Sequence, residues 1–303
     1  MADHLSVYLR NALLLMLLVP SVFATEYSLP KENERLIGQN INHIVASGDY
    51  FQLLAERYNV GFLALLAANP DVDPFLPQVN SSIIVPKQML LPFGKRKGIV
   101  INLPELRLYY FPEHGNSVHV FPVGIGRQGL QTPKTTSYIS EKVANPTWRP
   151  PKALRERYLK EKGIVLAKEV PPGPNNPFGK YSLRLGTSEY LIHGTNQRFG
   201  IGMRSSSGCI RMYDDDIKWL FDNVPVDTQV KIINQPVKIS YENSQQRLAE
   251  LHQPLSEQGE GISSLIDNPR LKILAASDGS IAKKLNEEAN NPSGLVRFYQ
   301  KVP

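Results

Sequence analysis

From Gly98 to Ile233 the chain repeats one texture, short runs rich in Val, Ile and Tyr separated by Pro, Gly and Asn. The runs are Ile99 to Asn102, Leu106 to Phe111, Ser117 to Val123, Tyr190 to His193 and Thr228 to Ile233. β-branched and aromatic residues suit a pleated, half-buried surface, so this pattern predicts a mainly antiparallel β domain over 97–234, a β-sandwich or barrel-like body. One helix interrupts it. Ile217, Leu220, Phe221 and Val224 keep helical spacing behind the acidic start Asp214-Asp215-Asp216, and Pro225 stops the run.

In front of this body, residues 40–86 read as a small α+β unit. Gly48-Asp49 ends an extended segment, after which Phe51, Leu54, Ala55 and Tyr58 fall at i, i+3, i+4 and i+7, one face of a helix. Asp49 stands at the expected N-cap, and Gln52 three positions on completes a capping-box-like pair. Val60 to Asn69 gives a second helical stretch, stopped at Asn69-Pro70 because the residue before proline is pushed away from helical dihedrals. Ile83-Ile84-Val85-Pro86 reads as a closing strand. Within the body, residues 141–180 carry Pro146, Pro150, Pro151, Pro171, Pro172, Pro174 and Pro177. An excursion of that length inside a compact domain suggests a lid or substrate-binding loop. Residues 235–303 turn polar, with short helical patches around Gln246 to Leu251, and read as an appendage.

The first 24 residues have the make-up of a signal peptide: Arg10, an apolar run from Ala12 to Val19, and Val22-Phe23-Ala24 at the cleavage positions. That run is far shorter than the roughly 20 residues a bilayer core requires, and no later stretch is apolar enough to span a membrane. Export sharpens the meaning of a lone cysteine, Cys209, which has no partner for an internal disulfide. The net charge of +6 suits a polyanionic setting. Its positives are scattered, with Lys95-Arg96-Lys97 the only tight run, so envelope anions fit better than nucleic acid. The six histidines show no paired metal-ligand spacing, and neither a metal nor a cofactor is expected. Gly124-Ile125-Gly126 lacks the third glycine of a dinucleotide fingerprint.

Chemistry concentrates between His193 and Arg211. A histidine ends a strand and is followed, after a glycine-rich stretch, by Ser206-Ser207-Gly208-Cys209. At its free pKa a thiol is only about 3% thiolate at pH 7, and an imidazole beside it supplies the missing base. Full ionisation gains at most roughly 30-fold, partly lost because more acidic thiols are weaker nucleophiles. Oxyanion donors, worth roughly 100- to 1000-fold each, matter more. Gly208 permits a tight turn that exposes the sulfur and aims the Gly208 and Cys209 amides at a developing oxyanion.

These residues resemble the signature of the YkuD-type L,D-transpeptidases, in which a histidine precedes a Ser-x-Gly-Cys element by about this distance. The likeness extends over 97–234, including Asn145-Pro146-Thr147-Trp148. The unit at 40–86 resembles a LysM module, and the combination resembles the Gram-negative periplasmic branch of the family. The resemblance implies that Cys209 attacks the carbonyl joining meso-diaminopimelate to D-alanine in peptidoglycan tetrapeptide stems. D-Alanine leaves, a thioester remains, and an amine completes the transfer. It further implies that His193 is the general base with its other nitrogen held by the Gly194 carbonyl, and that Ser206, Ser207, Gly208 and Arg211 meet the substrate. Many relatives carry histidine at Ser207 and asparagine at Arg211. Arg211 has two readings: it recognises a stem carboxylate, or it pairs with Asp214 to Asp216. As acceptor, the C-terminal lysine of an outer-membrane lipoprotein is favoured over a second diaminopimelate, which would give a 3→3 cross-link. A papain-like peptidase would place its cysteine before its histidine, the reverse of the order here. A non-catalytic wall-binding protein is the other alternative.

Overall fold

Nine strands of a computed structural model form one continuous sheet in the order Thr25–Ser28, Ser117–Pro122, Arg107–Phe111, Gly98–Asn102, Gln229–Ile233, Thr135–Ala144, Tyr181–Leu185, Leu191–His193 and Ile210–Arg211. The structure describes residues 25–243, 246–255, 263–276 and 278–299, so the expected signal peptide lies outside the described residues. Gly98–Asn102 and Arg107–Phe111 are buried at every position because both faces of this part of the sheet are covered. Successive side chains alternate between the faces. Ile99, Ile101 and Leu108 enter the central core, whereas Val100, Tyr109 and Phe111 meet Ile37, Met89 and Leu91 on the other side.

The sheet curls. Thr135–Ala144 pairs through residues 135–138 with Gln229–Ile233 and through 139–144 with Tyr181–Leu185, with a bulge between Ile139 and Glu141. A bulge bends a strand and sharpens its twist. The far strands therefore return over the core, where Leu183, Leu185, Ile192 and Ile210 meet Ile99, Leu108 and Phe121. This is the sandwich-like closure read from the sequence. Two pairings, Gln229–Ile233 with Gly98–Asn102 and Leu191–His193 with Ile210–Arg211, are parallel, so the sheet is mixed. The helix Asp214–Asn223 lies where its spacing predicts and sends Ile217 and Leu220 into the same core.

Ile41–Ile44, Phe51–Arg57, Phe62–Ala68 and Ser82–Val85 follow in the strand, helix, helix, strand order of the sequence reading, around a core of Val45, Phe51, Leu54, Leu65, Ile83 and Val85. Asn69 explains the helix stop at Asn69-Pro70. Its Nδ2 donates to the Leu65 and Ile84 carbonyls, each at 2.8 Å, and its Oδ1 accepts from Ile84 N at 2.7 Å. The capping expectation for Asp49 fails. Tyr50 is the N-cap, and Asp49 turns back to accept from Ala46 N and to pair with His43 Nε2 and Arg57. Two charged or ring partners together outbid one helix N–H. The unit sits tightly on the β body: a Cβ on Gly202 would fall 2.2 Å from Gly61 Cα, and Asn59 Nδ2 donates to the buried Asp216 Oδ1 at 3.0 Å.

The C-terminal appendage is a packed lobe. Val237–Glu242, Gln246–Leu251 and Val296–Tyr299 form a three-stranded antiparallel sheet, covered by the helices Pro269–Ala275 and Gly279–Asn290. Gln246–Leu251 is thus a strand and not a helical patch. Its polarity misleads because Lys238, Glu250 and His252 are buried, paired with groups of the β body. Lys238 Nζ lies 2.8 Å from both Glu105 Oε2 and Glu250 Oε2. Arg107 Nη1 lies 2.9 Å from Glu250 Oε1 and 3.2 Å from Glu105 Oε2. Glu105, Glu250 and His252 present ligand-type atoms within 4.8 Å of one another, but Lys238 and Arg107 together already pair with both carboxylates.

Candidate active site

Parallel pairing of two short strands brings the expected residues together. Ile192 aligns with Ile210 and His193 with Arg211, which sets Cys209 at the mouth of the second strand. His193, Cys209, Ser206, Ser207 and Arg211 all line one cavity of about 670 Å³. The sheet supplies its floor. Its other wall comes from the 141–180 excursion, through Trp148, Leu154, Tyr158 and Phe178. That excursion contains the helix Lys152–Lys162 and is drawn together by Asn176, fully buried, whose Nδ2 donates to the Pro146, Val170 and Pro171 carbonyls at 2.8, 3.1 and 3.2 Å.

His193 is 3% exposed, and its Nδ1 lies 2.6 Å from the Gly194 carbonyl. A carbonyl only accepts, so Nδ1 carries the proton and Nε2 is left with a free lone pair. A Cβ on Gly194 would fall 2.3 Å from Asp214 Oδ1, so a larger residue here would have to displace that carboxylate. Burial, and then the Arg211 charge, push the imidazole down to about 3 against the Gly194 hydrogen bond. The ring is therefore neutral across the physiological range and able to take a proton.

The Cys209 thiol is pushed above its ordinary value, first by burial, although the Leu191 N–H and Arg211 oppose this. At rest the Cys209 thiol donates to the Glu189 carbonyl at 3.9 Å and the imidazole across the same cavity is neutral, so the two are not a preformed ion pair.

The turn that holds the cysteine alters one sequence expectation. Ser206 is 2% exposed and its hydroxyl is spent inside the turn, accepting from Gly208 N at 3.1 Å and donating to the Cys209 carbonyl at 2.5 Å. The Gly208 amide therefore does not face the cleft, and neither bond of the turn uses the Cys209 N–H. Gly208 itself has φ +115°, a left-handed value that favours glycine. Ser207 is exposed on the cleft side.

Arg211 forms no ion pair with Asp214 to Asp216 among the described residues. Asp214 instead accepts from Thr195 N at 3.3 Å, and Asp216 meets Asn59. Arg211 lines the cleft with Arg149, Arg157 and Arg184, and Glu189 is the acidic residue among the described lining residues. Arg149 and Arg184 are paired with Glu169 and Glu141, each at 2.9 Å. Arg157 and Tyr158, on the helix Lys152–Lys162, and Glu189, just before the strand Leu191–His193, were not singled out in the sequence, because nothing in their spacing marks them as cleft residues.

The L,D-transpeptidase catalytic domain model of the YkuD family matches residues 96–232. The chain is 50% identical over 284 residues to the probable L,D-transpeptidase YcfS of Escherichia coli, covering 92% of this chain and 86% of that one. It is 43% identical over 280 residues to the probable L,D-transpeptidase ErfK/SrfK of Salmonella typhimurium, covering 90% of each. Among solved structures, an L,D-transpeptidase from Mycobacterium smegmatis aligns at TM-score 0.35 and 16% identity, over 52% of this chain and 64% of that one. No helix among the described residues is long and apolar enough to cross a membrane.

Proposed function

The chain belongs to the L,D-transpeptidase family and acts on peptidoglycan, and from that premise we propose that Cys209 is the acylated residue and His193 its general base. The observation that carries this is the single cleft shared by the thiol and an imidazole whose Nδ1–H is already spent on Gly194. The Cys209 sulfur attacks the carbonyl between diaminopimelate and D-alanine while Nε2 of His193 takes the thiol proton. The C–N bond breaks, and that proton passes to the departing D-alanine amine. An incoming amine then loses a proton to His193 as it attacks the thioester, and the thiol is regenerated.

Arg211 suits a stem carboxylate, because a planar guanidinium grips two oxygens at once. Arg157 and Arg211, which form no ion pair among the described residues, favour substrates that bring carboxylates to both half-reactions. A C-terminal lysine does so, offering an amine on a chain end that also carries a carboxylate. It is also slender enough to pass beneath the wall built from residues 141–180. The favoured acceptor is thus the C-terminal lysine of a wall-anchored lipoprotein, with 3→3 cross-linking the second reading. The reaction is placed in the periplasm, reached through the signal peptide at 1–24, and the 40–86 unit is read as a LysM-like module. Given tetrapeptide muropeptides with a lysine-ended peptide and a second stem at equal concentration, the protein is expected to make the lysine-linked product faster. Predominance of stem dimers would overturn the acceptor assignment alone.

A further inference from the structure

Behind the nucleophile turn lies a loop that no part of the mechanism uses. Residues 126–132 fold back so closely that a Cβ on Gly126 would fall 2.1 Å from the Leu130 carbonyl. The loop is fastened to the turn at two places, Arg127 N donating to the Ser206 carbonyl at 3.0 Å and Thr132 donating to the Gly208 carbonyl at 2.7 Å. Thr132 is 5% exposed, and its Oγ1 also accepts from Gly126 N at 3.0 Å. Its hydroxyl proton therefore has one direction, set by that N–H, and one acceptor.

The acceptor matters because of peptide geometry. The Gly208 carbonyl and the Cys209 N–H belong to one planar trans unit and point in opposite directions. Fixing the carbonyl on the loop side turns the Cys209 N–H away from the loop. Ser206 already consumes the Gly208 N–H, so the Cys209 amide is the donor this turn has left for an oxyanion. Gly208, with its left-handed φ, offers little resistance to a flip of the following peptide unless something holds it.

We infer that Thr132 is a positioning residue for acyl transfer, whose hydroxyl locks the Gly208–Cys209 peptide so that the Cys209 N–H serves the tetrahedral oxyanion. The inference rests on the assignment of Cys209 as the acylated residue. Thr132→Val keeps the shape and removes the hydroxyl; Thr132→Ser keeps the hydroxyl. Two reactions of the full mature chain separate positioning from general damage. Alkylation by iodoacetamide needs the thiol but no oxyanion donor, whereas release of D-alanine from a tetrapeptide stem needs both.

For Thr132→Val, kcat for D-alanine release is expected to fall about 10- to 100-fold, with KM and the alkylation rate within about twofold of wild type, since an oxyanion donor is weakened and not removed. Thr132→Ser is expected to recover most of the loss. The inference is overturned if Thr132→Val matches wild type, if alkylation falls in parallel with acylation, or if Thr132→Ser is as slow as Thr132→Val. A wild-type protein that releases D-alanine equally well as Cys209→Ala would instead overturn the assignment on which the inference rests.

Discussion

Cys209→Ala and His193→Ala are each expected to lower D-alanine release from tetrapeptide stems by about a thousandfold or more, with the double variant no slower than the worse of the two. On the proposed mechanism neither residue is effective alone. Burial holds the thiol protonated, and it holds His193 neutral down to about 3, so in the proposed mechanism reactivity appears only when the imidazole takes the proton during attack. Removing the base leaves the thiol only the Glu189 carbonyl, which accepts a hydrogen bond but does not take the proton away; removing the thiol leaves a base with nothing to activate. Losses of groups that act as one unit do not add. Steady-state release of D-alanine, with circular dichroism to show retained folding, measures this. A double variant slower than the singles by the product of their effects would show two independent routes.

The second large effect concerns stability. Lys238→Ala is expected to destabilise the protein by about 3–5 kcal/mol, because it leaves two buried carboxylates sharing Arg107 and His252. Glu105 and Glu250 lie wholly inside the protein, and burial alone would raise their pKa values. Lys238 is the principal charge opposing this for each, with His252 and Arg107 assisting, and both carboxyls end below their ordinary value of 4.5. A depressed carboxyl contributes stability that is present above its unfolded pKa and lost as pH falls. The deficit of Lys238→Ala should therefore be largest above about pH 5 and shrink in acid, where both carboxyls can be neutral. Urea unfolding at neutral and acid pH checks both statements. A loss under about 1 kcal/mol at neutral pH would mean that the network does not hold the lobe to the body.

What the sequence made legible follows from local chemistry. Ile99, Leu108 and Phe121 advertise their strands because both sheet faces are buried there, and continuous apolar runs are the result. His193 and Cys209 are legible because a strand end and a glycine turn sit close together in the chain. The longest strand, Thr135–Ala144, does not stand out, since its residues are polar and half-exposed and it passes between two sheet halves. The C-terminal lobe misleads for a different reason: Lys238 and Glu250 look like surface residues, and only pairing across more than a hundred positions makes them core. Thr132 and Asn176 carry no local pattern at all, because each acts through carbonyls of segments brought near by tertiary folding.

The central claim is covalent, and its most direct test is the mass of the intact protein after brief incubation with a tetrapeptide stem, quenched in acid. The account predicts a wild-type adduct equal to the stem minus D-alanine, lying on Cys209 after digestion, released by hydroxylamine as a thioester, and absent from Cys209→Ala. An adduct of that mass on another residue, or undiminished in Cys209→Ala, would contradict it.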